Sequence, residues 1–305
     1  MKYPKPALTI EQQTEVLLSR GMLGDPAEIA RQLAVVNYYR LSGYWFHRKG
    51  PQDQFKPGTR FEVVWKQYSF DRKLRLLVMD AVERIEVALR TQFSYHHTLD
   101  HGPFGYADDP SALPKFHGLP DERRKTLDRI KDEVNRSKEI FVHHFERKYG
   151  QEHPHLPLWM ASEVMSFGGL LNLWQASSKR VKNGVAAKFG VSDEVLRTWL
   201  WSLNEVRNVA AHHGRLWNRV LGNKPTIPRT NGHPEWHTPF SVPNDRLFAV
   251  LCVCAHSLRH IAAGSTWCLR IRKLLDESPE APCKNMGFPD RWLESPLWKG
   301  TRDLP

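Results

Sequence analysis

The amino-acid sequence predicts an all-α protein, and three observations support that fold class. Apolar residues recur at spacings of three and four in several long stretches, which is the period of an amphipathic helix. No stretch alternates apolar and polar residues for long enough to require a β-sheet. The chain also lacks an internal repeat and a glycine-rich phosphate loop, which would indicate other architectures. We therefore expect a helical bundle with long irregular loops.

Composition and charge restrict the partners of this protein. A chain of 305 residues is long enough for one large domain or two closely packed domains. Lys and Arg total 44 against 33 Asp and Glu, which gives a formal net charge of +11 and favours an anionic partner such as RNA or DNA. No run of about eighteen apolar residues occurs, and residues 1–6 lack the apolar segment of a signal peptide. We therefore expect a cytoplasmic protein without a membrane span.

Four cysteines and fifteen histidines raise the question of a metal site. Cys252 and Cys254 lie in an apolar run, and no two-plus-two cysteine spacing occurs, so free thiols are expected. The histidine pairs at 96/97, 143/144 and 212/213 are adjacent, and in a helix such neighbours diverge by about 100°. Because no HExxH motif is present either, we expect no metal and no cofactor.

The first predicted region, residues 1–60, is an N-terminal helical hairpin with an aromatic linker. Thr9, with Gln12 three residues later, forms a capping box that begins a helix ending near residue 20. Asp25 followed by Pro26 is typical of the start of a second helix. Together the two short helices predict the hairpin.

The aromatic linker, residues 37–46, surrounds Arg40 with aromatic rings. These rings are expected either to pack the hairpin onto the main body or, through Tyr39 and Arg40, to bind nucleotides. A loop is predicted over residues 47–60 and a short extended piece over residues 61–64.

The second predicted region, residues 61–277, contains the longest helical pattern, at about 65–99. Its charged face is expected either to be solvated or to line a groove for RNA. The candidates on this face are Arg72, Arg75 and Arg84. A Pro/Gly-rich surface loop over 102–120 and a charged helix over 120–149 predict a peripheral insertion at about 103–156.

Further helices follow the insertion. A buried helix is predicted over 158–177, and its Gly168-Gly169 pair indicates either a close helix contact or a kink. The next stretch is a basic run that is either solvated or bound to RNA. The candidates in this run are Lys179, Arg180 and Lys182. After a long loop at 222–243, helices are expected from Asn244 or Asp245 to Ile261 and over 266–276. The tail, 278–305, is expected to be irregular and to pack on the body.

The most distinctive stretch lies at the end of a helix that begins at Ser192. Polar and cationic residues replace the apolar pattern there, and Gly214 follows where a helix C-cap would fall. These residues are Arg207, Asn208, His212, His213, Arg215, Trp217, Asn218 and Arg219. One interpretation is that they cap the negative end of the helix dipole, and the other is that they form a site for a phosphodiester.

The phosphodiester interpretation fits cleavage of RNA. RNA carries its own nucleophile, the 2′-hydroxyl, so cleavage needs a base, an acid and a cation for the charge that develops on phosphorus. A histidine serves as base or acid, an arginine grips the phosphate and an asparagine orients either of them. The set Arg207, Asn208 and His212 therefore suits RNA cleavage without a metal.

The spacing of this set raises a geometric difficulty. Asn208 and His212 are one helical turn apart and face together, whereas Arg207 and His212 lie about 140° apart around the axis. Either the Arg207 side chain reaches round, or the helix distorts near Gly214, or two copies of the helix share the site across a twofold axis. The last arrangement predicts a homodimer.

Arg207–His212 reads R-N-V-A-A-H and resembles the R-N-x-x-x-H signature of HEPN-domain ribonucleases. Further stretches, in order over nearly the whole chain, resemble the Abi-like family, which contains the AbiD and AbiF abortive-infection proteins of bacterial phage defence. These stretches are residues 37–44, 70–75, 83–90, 159–168 and 211–219.

This resemblance implies a HEPN-like helical bundle, composite active sites built by two copies of the chain, and RNA cleavage that leaves a 2′,3′-cyclic phosphate. For AbiF-like members it also implies a partner noncoding RNA that acts as an antitoxin. The motif assigns catalysis to Arg207 and His212, with Asn208 in support. Proximity to the motif adds further candidates for RNA binding. These are His213, Arg215, Trp217 and Arg219.

Three functions stay open at this point. The first is a metal-independent endoribonuclease toxin of phage defence, held in check by a noncoding RNA. The second is a noncatalytic RNA-binding module that holds a structured RNA for phage sensing or defence. The third is an effector directed at DNA or protein. If the protein binds an RNA but loses binding when that RNA is replaced by DNA of the same sequence, this argues against the third function.

Overall fold

The computed structural model describes residues 6–281 and 283–299. Within these residues the chain forms thirteen α-helices and no β-sheet, which confirms the all-α prediction. Residues 1–5, on which the signal-peptide prediction rests, and residues 282 and 300–305 of the predicted tail lie outside the described part. None of the described helices is long and apolar enough to cross a membrane.

The N-terminal hairpin forms as predicted, from α1 (Ile10–Ser19) and α2 (Pro26–Val35), which pack against each other. The Thr9 hydroxyl accepts a hydrogen bond from the Gln12 N–H, and the Gln12 side chain accepts one from the Thr9 N–H. The Asp25 carboxylate accepts from the N–H of Ala27 at the start of α2.

The aromatic linker contains a helix of its own, α3 (Tyr38–Trp45), which the sequence did not predict. The Asn37 side chain accepts a hydrogen bond from the Tyr39 N–H and so caps this helix. Tyr44 and Trp45 are buried, and α3 contacts the long helix that follows. The linker therefore packs the hairpin onto the main body, as one of the two interpretations expected.

The centre of the fold is one helix of 41 residues, α4 (Phe61–His101). Residues 61–64 form its first turn, so the predicted extended piece is wrong: Phe61 and Val64 lie one turn apart and are both buried. The helix ends where predicted, at Gly102, whose φ of +72° takes it out of the helical region. The aromatic linker and most later helices pack around α4.

The insertion differs from the prediction in two places. The stretch expected to be a surface loop contains a short helix, α5 (Gly105–Asp108), and buries the side chains of Tyr106 and Leu113. The predicted single helix over 120–149 is two helices, α6 (Pro120–Arg136) and α7 (Ile140–Tyr149). Between them Ser137 is extended and its hydroxyl accepts from the Glu139 N–H, a local bond that competes with helix formation.

The predicted helix over 158–177 is also two helices, α8 (Leu158–Val164) and α9 (Phe167–Ala176). The break lies before Gly168-Gly169. The Ser166 hydroxyl accepts from the Gly169 N–H and caps α9, and Arg90 of α4 donates to the carbonyl oxygens of Ser162 and Met165. The Arg90 contacts come from a distant part of the sequence, whereas the Ser166 cap is a local signal that the prediction of a single helix did not use.

Four helices complete the bundle. They are α10 (Lys179–Lys188), α11 (Asp193–Ala211), α12 (Leu247–Ile261) and α13 (Trp267–Asp276). The predicted cap at Asn244 or Asp245 is wrong, because α12 follows Arg246 and has no side-chain cap. Cys252 and Cys254 are free and buried in α12, as expected.

Candidate active site

Helix α11 positions the predicted catalytic residues. The Ser192 hydroxyl accepts from the Val195 N–H at its start, as the sequence indicated. Its apolar face is buried in the bundle through residues 196, 199, 200, 203, 206 and 210. Asn208 and His212 lie on the opposite, exposed face, and Arg207 at its edge is half-buried. The motif is therefore accessible from one side of a rigidly packed helix.

The Arg207 side chain bends towards this exposed face. Its Nη1 donates to Oδ1 of Asn208 at 3.3 Å. Asn208 is one turn before His212, so the hydrogen bond carries the guanidinium towards the face on which the imidazole lies. This is the direction that the first of the three arrangements, in which the arginine side chain reaches round, requires.

The helix also distorts at its end, and the distortion falls on a histidine. The N–H of His213 donates to the Ala210 carbonyl, and the N–H of Gly214 donates to the Val209 carbonyl at 2.7 Å, which is a Schellman arrangement. Its left-handed position, usually glycine, is occupied by His213 with a φ of +57°. A non-glycine residue in this conformation stores strain of about 1 kcal/mol.

Gly214 is required for space rather than for its backbone conformation. A Cβ atom at this position would lie 2.9 Å from Cγ1 and 3.0 Å from the carbonyl oxygen of Val209. The sequence predicts the glycine as the cap, whereas the structure gives the left-handed position to His213 and the close approach to Gly214.

The loop after α11 is held by a buried carboxylate, that of Asp71 in α4. One oxygen accepts from the backbone N–H groups of Leu216 and Trp217, at 3.1 and 3.0 Å. The other accepts from the Tyr44 hydroxyl at 2.7 Å and from Nη1 of Arg75 at 2.5 Å. Asp71 therefore links α3, α4 and the loop over residues 213–217 at one point. We call this segment the motif loop.

Arginines add three further contacts between this loop and the elements beside it. Nη1 of Arg40 in α3 donates to the His213 carbonyl, and Nη1 of Arg75 lies 3.4 Å from the Gly214 carbonyl oxygen. Nη1 of Arg215 donates back to the Gly43 carbonyl in α3. The strained turn at His213 is thus fixed on both sides by side chains from α3 and α4.

Burial dominates the electrostatics of this cluster. Burial raises the pKa of Asp71, while the hydrogen bonds from Tyr44 and the loop N–H groups and the charge of Arg75 act in the opposite direction. Burial and the neighbouring Asp71 carboxylate raise the pKa of the Tyr44 hydroxyl, so that it stays protonated and donates. The cluster is structural in character and supports the exposed motif.

A second carboxylate, Glu205, fixes the chain further downstream. It accepts from the N–H groups of Gly222 and Asn223, at 3.0 and 2.6 Å. Partial burial opposes ionisation, but these hydrogen bonds outweigh it and lower the pKa of Glu205. The loop that leaves the motif is consequently tied to α11 at both of its ends.

The structure divides the predicted RNA-binding residues into two groups. Trp217 and Arg75 are buried, so their side chains do not fit the predicted contact with RNA. Arg84 is partly accessible, but its guanidinium donates to Asp80 and Ser265. A larger set is at least partly accessible in spite of its contacts. These residues are Tyr39, Arg40, Arg72, Lys179, Arg180, Lys182, His213, Arg215 and Arg219.

Two members of the accessible set pair with acids. Lys179 contacts the carboxylates of Asp193 and Glu194, and Arg180 lies 3.2 Å from Asp100. These contacts tie α10 to α11 and to α4. His213, Arg40 and Arg215 lie next to the motif, whereas the pairs on α10 belong to a different part of the surface.

Asp71 and Tyr44 are the residues that the sequence analysis missed. Both lie in stretches that resemble the Abi-like family, but Asp71 looked like one of many charges on an exposed helix face. Its buried position follows only from the packing of α3 and the motif loop against α4. Among residues 6–281 and 283–299, no group of three or more His, Cys, Asp or Glu side chains is placed to hold a metal ion.

A family comparison fits this geometry. The profile of the family described as "Abi-like protein" matches residues 31–218, which is more than half of the chain and contains α3, Asp71 and the motif. The chain belongs to the Abi-like family. Membership connects it with abortive infection, a form of phage defence. No curated protein and no solved structure matched the chain.

Proposed function

We propose that this Abi-like protein is a metal-independent endoribonuclease of the HEPN type that acts as a toxin in abortive infection. The observation that carries the proposal is the hydrogen bond between Arg207 and Asn208 on the face that also carries His212. A cation, an amide and an imidazole are then available to one phosphodiester at the end of a rigid helix.

The proposed reaction uses the 2′-hydroxyl of the RNA as nucleophile. A histidine removes its proton, the 2′-oxygen bonds to phosphorus, and the bond from phosphorus to the 5′-oxygen breaks. The departing 5′-oxygen takes a proton, so the products are a 2′,3′-cyclic phosphate and a 5′-hydroxyl. Arg207 balances the negative charge that develops on phosphorus, and Asn208 orients its guanidinium.

One histidine cannot be base and acid at opposite sides of the phosphorus in the same step, so we propose that two copies of α11 meet across a twofold axis. His212 of one protomer would act as base and His212 of its partner as acid. The exposed face with Asn208 and His212 would then lie at a homodimer interface, and a measured mass of twice the chain would support this arrangement.

We further propose that a noncoding RNA holds the toxin in check in the cell. The net charge of +11 suits such a partner. RNA that co-purifies with the protein, sequenced together with its ends, would identify this partner. Protein that purifies free of RNA from its native host would contradict this part of the proposal.

The catalytic proposal is tested by Arg207→Ala and His212→Ala, compared with Arg197→Ala as a control on the exposed part of the same helix. We expect both motif variants to lose toxicity in cells and RNA cleavage in vitro, while the control retains them. The cleaved RNA from the wild type should carry a 2′,3′-cyclic phosphate. Unchanged cleavage by the motif variants would refute the proposal, and bound RNA without cleavage by the wild type would favour a noncatalytic RNA-binding module.

A further inference from the structure

Large exposed hydrophobic side chains are concentrated beside the candidate active site. Four such side chains are at least 75% exposed in the described part of the chain: Val35, Tyr39, Phe46 and Ile140. Three of the four lie within twelve residues of one another: Val35 ends α2, Tyr39 lies on α3 and Phe46 directly follows α3. Isolated exposed apolar residues are ordinary on protein surfaces, whereas a local concentration with two aromatic rings indicates a binding surface.

The contacts of α3 fix these rings relative to the motif. Arg40, which follows Tyr39, donates to the His213 carbonyl, and the Gly43 carbonyl, three residues before Phe46, accepts from Arg215. The face of α3 that carries Arg40 and Gly43 therefore contacts the motif loop, and Tyr39 and Phe46 lie on the outer face next to it. These bonds hold the backbone that carries the two rings next to the motif loop.

The charge around the rings is positive. His47 follows Phe46, and its pKa is lowered by burial and by the cationic neighbours Arg48, Arg215 and Lys56. The nearby carboxylate of Asp53 is engaged by Lys49 and Arg20. A surface that combines aromatic rings with cations such as Arg48, Lys56 and Arg215 is complementary to a single-stranded nucleic acid, whose bases stack and whose phosphates are anionic.

We propose that Tyr39 and Phe46 form a stacking platform for unpaired bases of the RNA strand that enters the active site. The inference rests on the proposed ribonuclease function and names the form of its substrate. The rings are seven residues apart, or about 10 Å along the helix axis, which exceeds the roughly 3.4 Å between stacked bases. The platform therefore takes bases that have left the stack, and a duplex, whose bases are paired inside, does not offer them.

The test measures binding rather than cleavage. In a His212→Ala background, a fluorescent unpaired RNA and a hairpin duplex of the same composition are titrated by anisotropy. We expect Tyr39→Ala/Phe46→Ala to bind the unpaired RNA at least about tenfold more weakly and the duplex unchanged. Tyr95→Ala, which removes an exposed tyrosine of α4, should change neither affinity. Tyr39→Trp with Phe46→Trp should restore binding of the unpaired strand.

Two outcomes would overturn the inference. Equal affinity of the double variant and its parent for unpaired RNA would show that the rings do not stack on bases. A change of the measured mass from dimer to monomer, with unchanged RNA affinity per chain, would show that this surface joins two copies of the protein instead. Neither readout depends on cleavage, so failure of the platform and failure of the ribonuclease proposal are distinguishable.

Discussion

The carboxylate of Asp71, in the first third of the central helix α4, accepts a hydrogen bond from the backbone N–H of Trp217, 146 residues later in the chain. The same carboxylate is fully buried and binds Arg75 of its own helix. Together with the arginine contacts from α3 and α4, this carboxylate anchors the loop that follows the Arg207–His212 motif.

The first prediction concerns removal of the anchor charge. Asp71→Asn keeps the shape of the side chain but leaves the buried Arg75 guanidinium without its counter-ion, so we expect the free energy of unfolding to fall by about 3–5 kcal/mol. The control is Asp121→Asn, which breaks an exposed pair with Arg124 and should cost less than about 0.5 kcal/mol. Urea denaturation of both variants makes the comparison, and similar losses in the two would contradict the anchoring role.

The second prediction concerns the left-handed histidine. His213→Gly relieves the strain at a φ of +57° and should raise the free energy of unfolding by about 1 kcal/mol. Asn218→Gly, at a φ of +55°, is the control and should give no gain, because asparagine tolerates this conformation and its Oδ1 accepts from Arg246. If His213 binds RNA, the more stable variant should bind RNA more weakly. A variant that gains stability and keeps its RNA affinity would exclude that role.

The third prediction concerns the pH dependence of stability. Burial lowers the pKa of His97 from 6.5 to about 4, and neither of its ring nitrogens has a hydrogen-bond partner. Between these two pH values the unfolded chain binds a proton that the folded chain does not, so stability falls as the pH falls. From pH 7 to pH 4.5 this histidine should contribute a loss of about 2 kcal/mol.

The measurement compares wild type with His97→Leu by urea denaturation at both pH values. The leucine variant should show a smaller loss, because other groups titrate equally in the two proteins. Identical losses would show that His97 does not contribute.

The fourth prediction concerns which basic residues meet RNA. Arg72 is exposed, whereas Arg84 on the same helix is bonded to Asp80 and Ser265. Arg72→Ala should therefore weaken RNA binding and lower the slope of log affinity against log salt concentration by about one, while Arg84→Ala should leave both unchanged. Anisotropy titrations at several salt concentrations give the slope. An equal effect of the two substitutions would argue against a specific contact at Arg72.

The sequence predicted helices well where a local signal marks the end. The capping box of Thr9 and Gln12, the Asp25-Pro26 start and the Ser192 cap all appear in the structure. It failed at the two interrupted helices. Ser137 and Ser166 accept local hydrogen bonds at the breaks, and at the second break Arg90 binds carbonyl oxygens from another part of the chain. Apolar periodicity continues through such breaks and does not mark them.

In the candidate site, too, some residues could be predicted from local sequence and others could not. Arg207, Asn208 and His212 lie within six residues of sequence, and one helical period was enough to expect Asn208 and His212 on a common face. Asp71 and Tyr44 could not be recognised in this way, because a carboxylate in a charged helix face gives no local sign of burial. Trp217 was assigned to RNA for its type and position, yet it is buried beside Tyr44.

The sequence by itself determined the all-α class, the helical hairpin and the composition of the motif, because apolar period, capping residues and charge are local properties. Only the tertiary structure decided that the motif lies at the exposed end of a buried helix, with His213 held left-handed by contacts from α3 and α4. The physical reason is burial. A carboxylate such as Asp71 becomes a structural anchor only when folding excludes water and hydrogen-bond donors from the protein replace the water molecules around it. Those donors come from segments far apart in the chain.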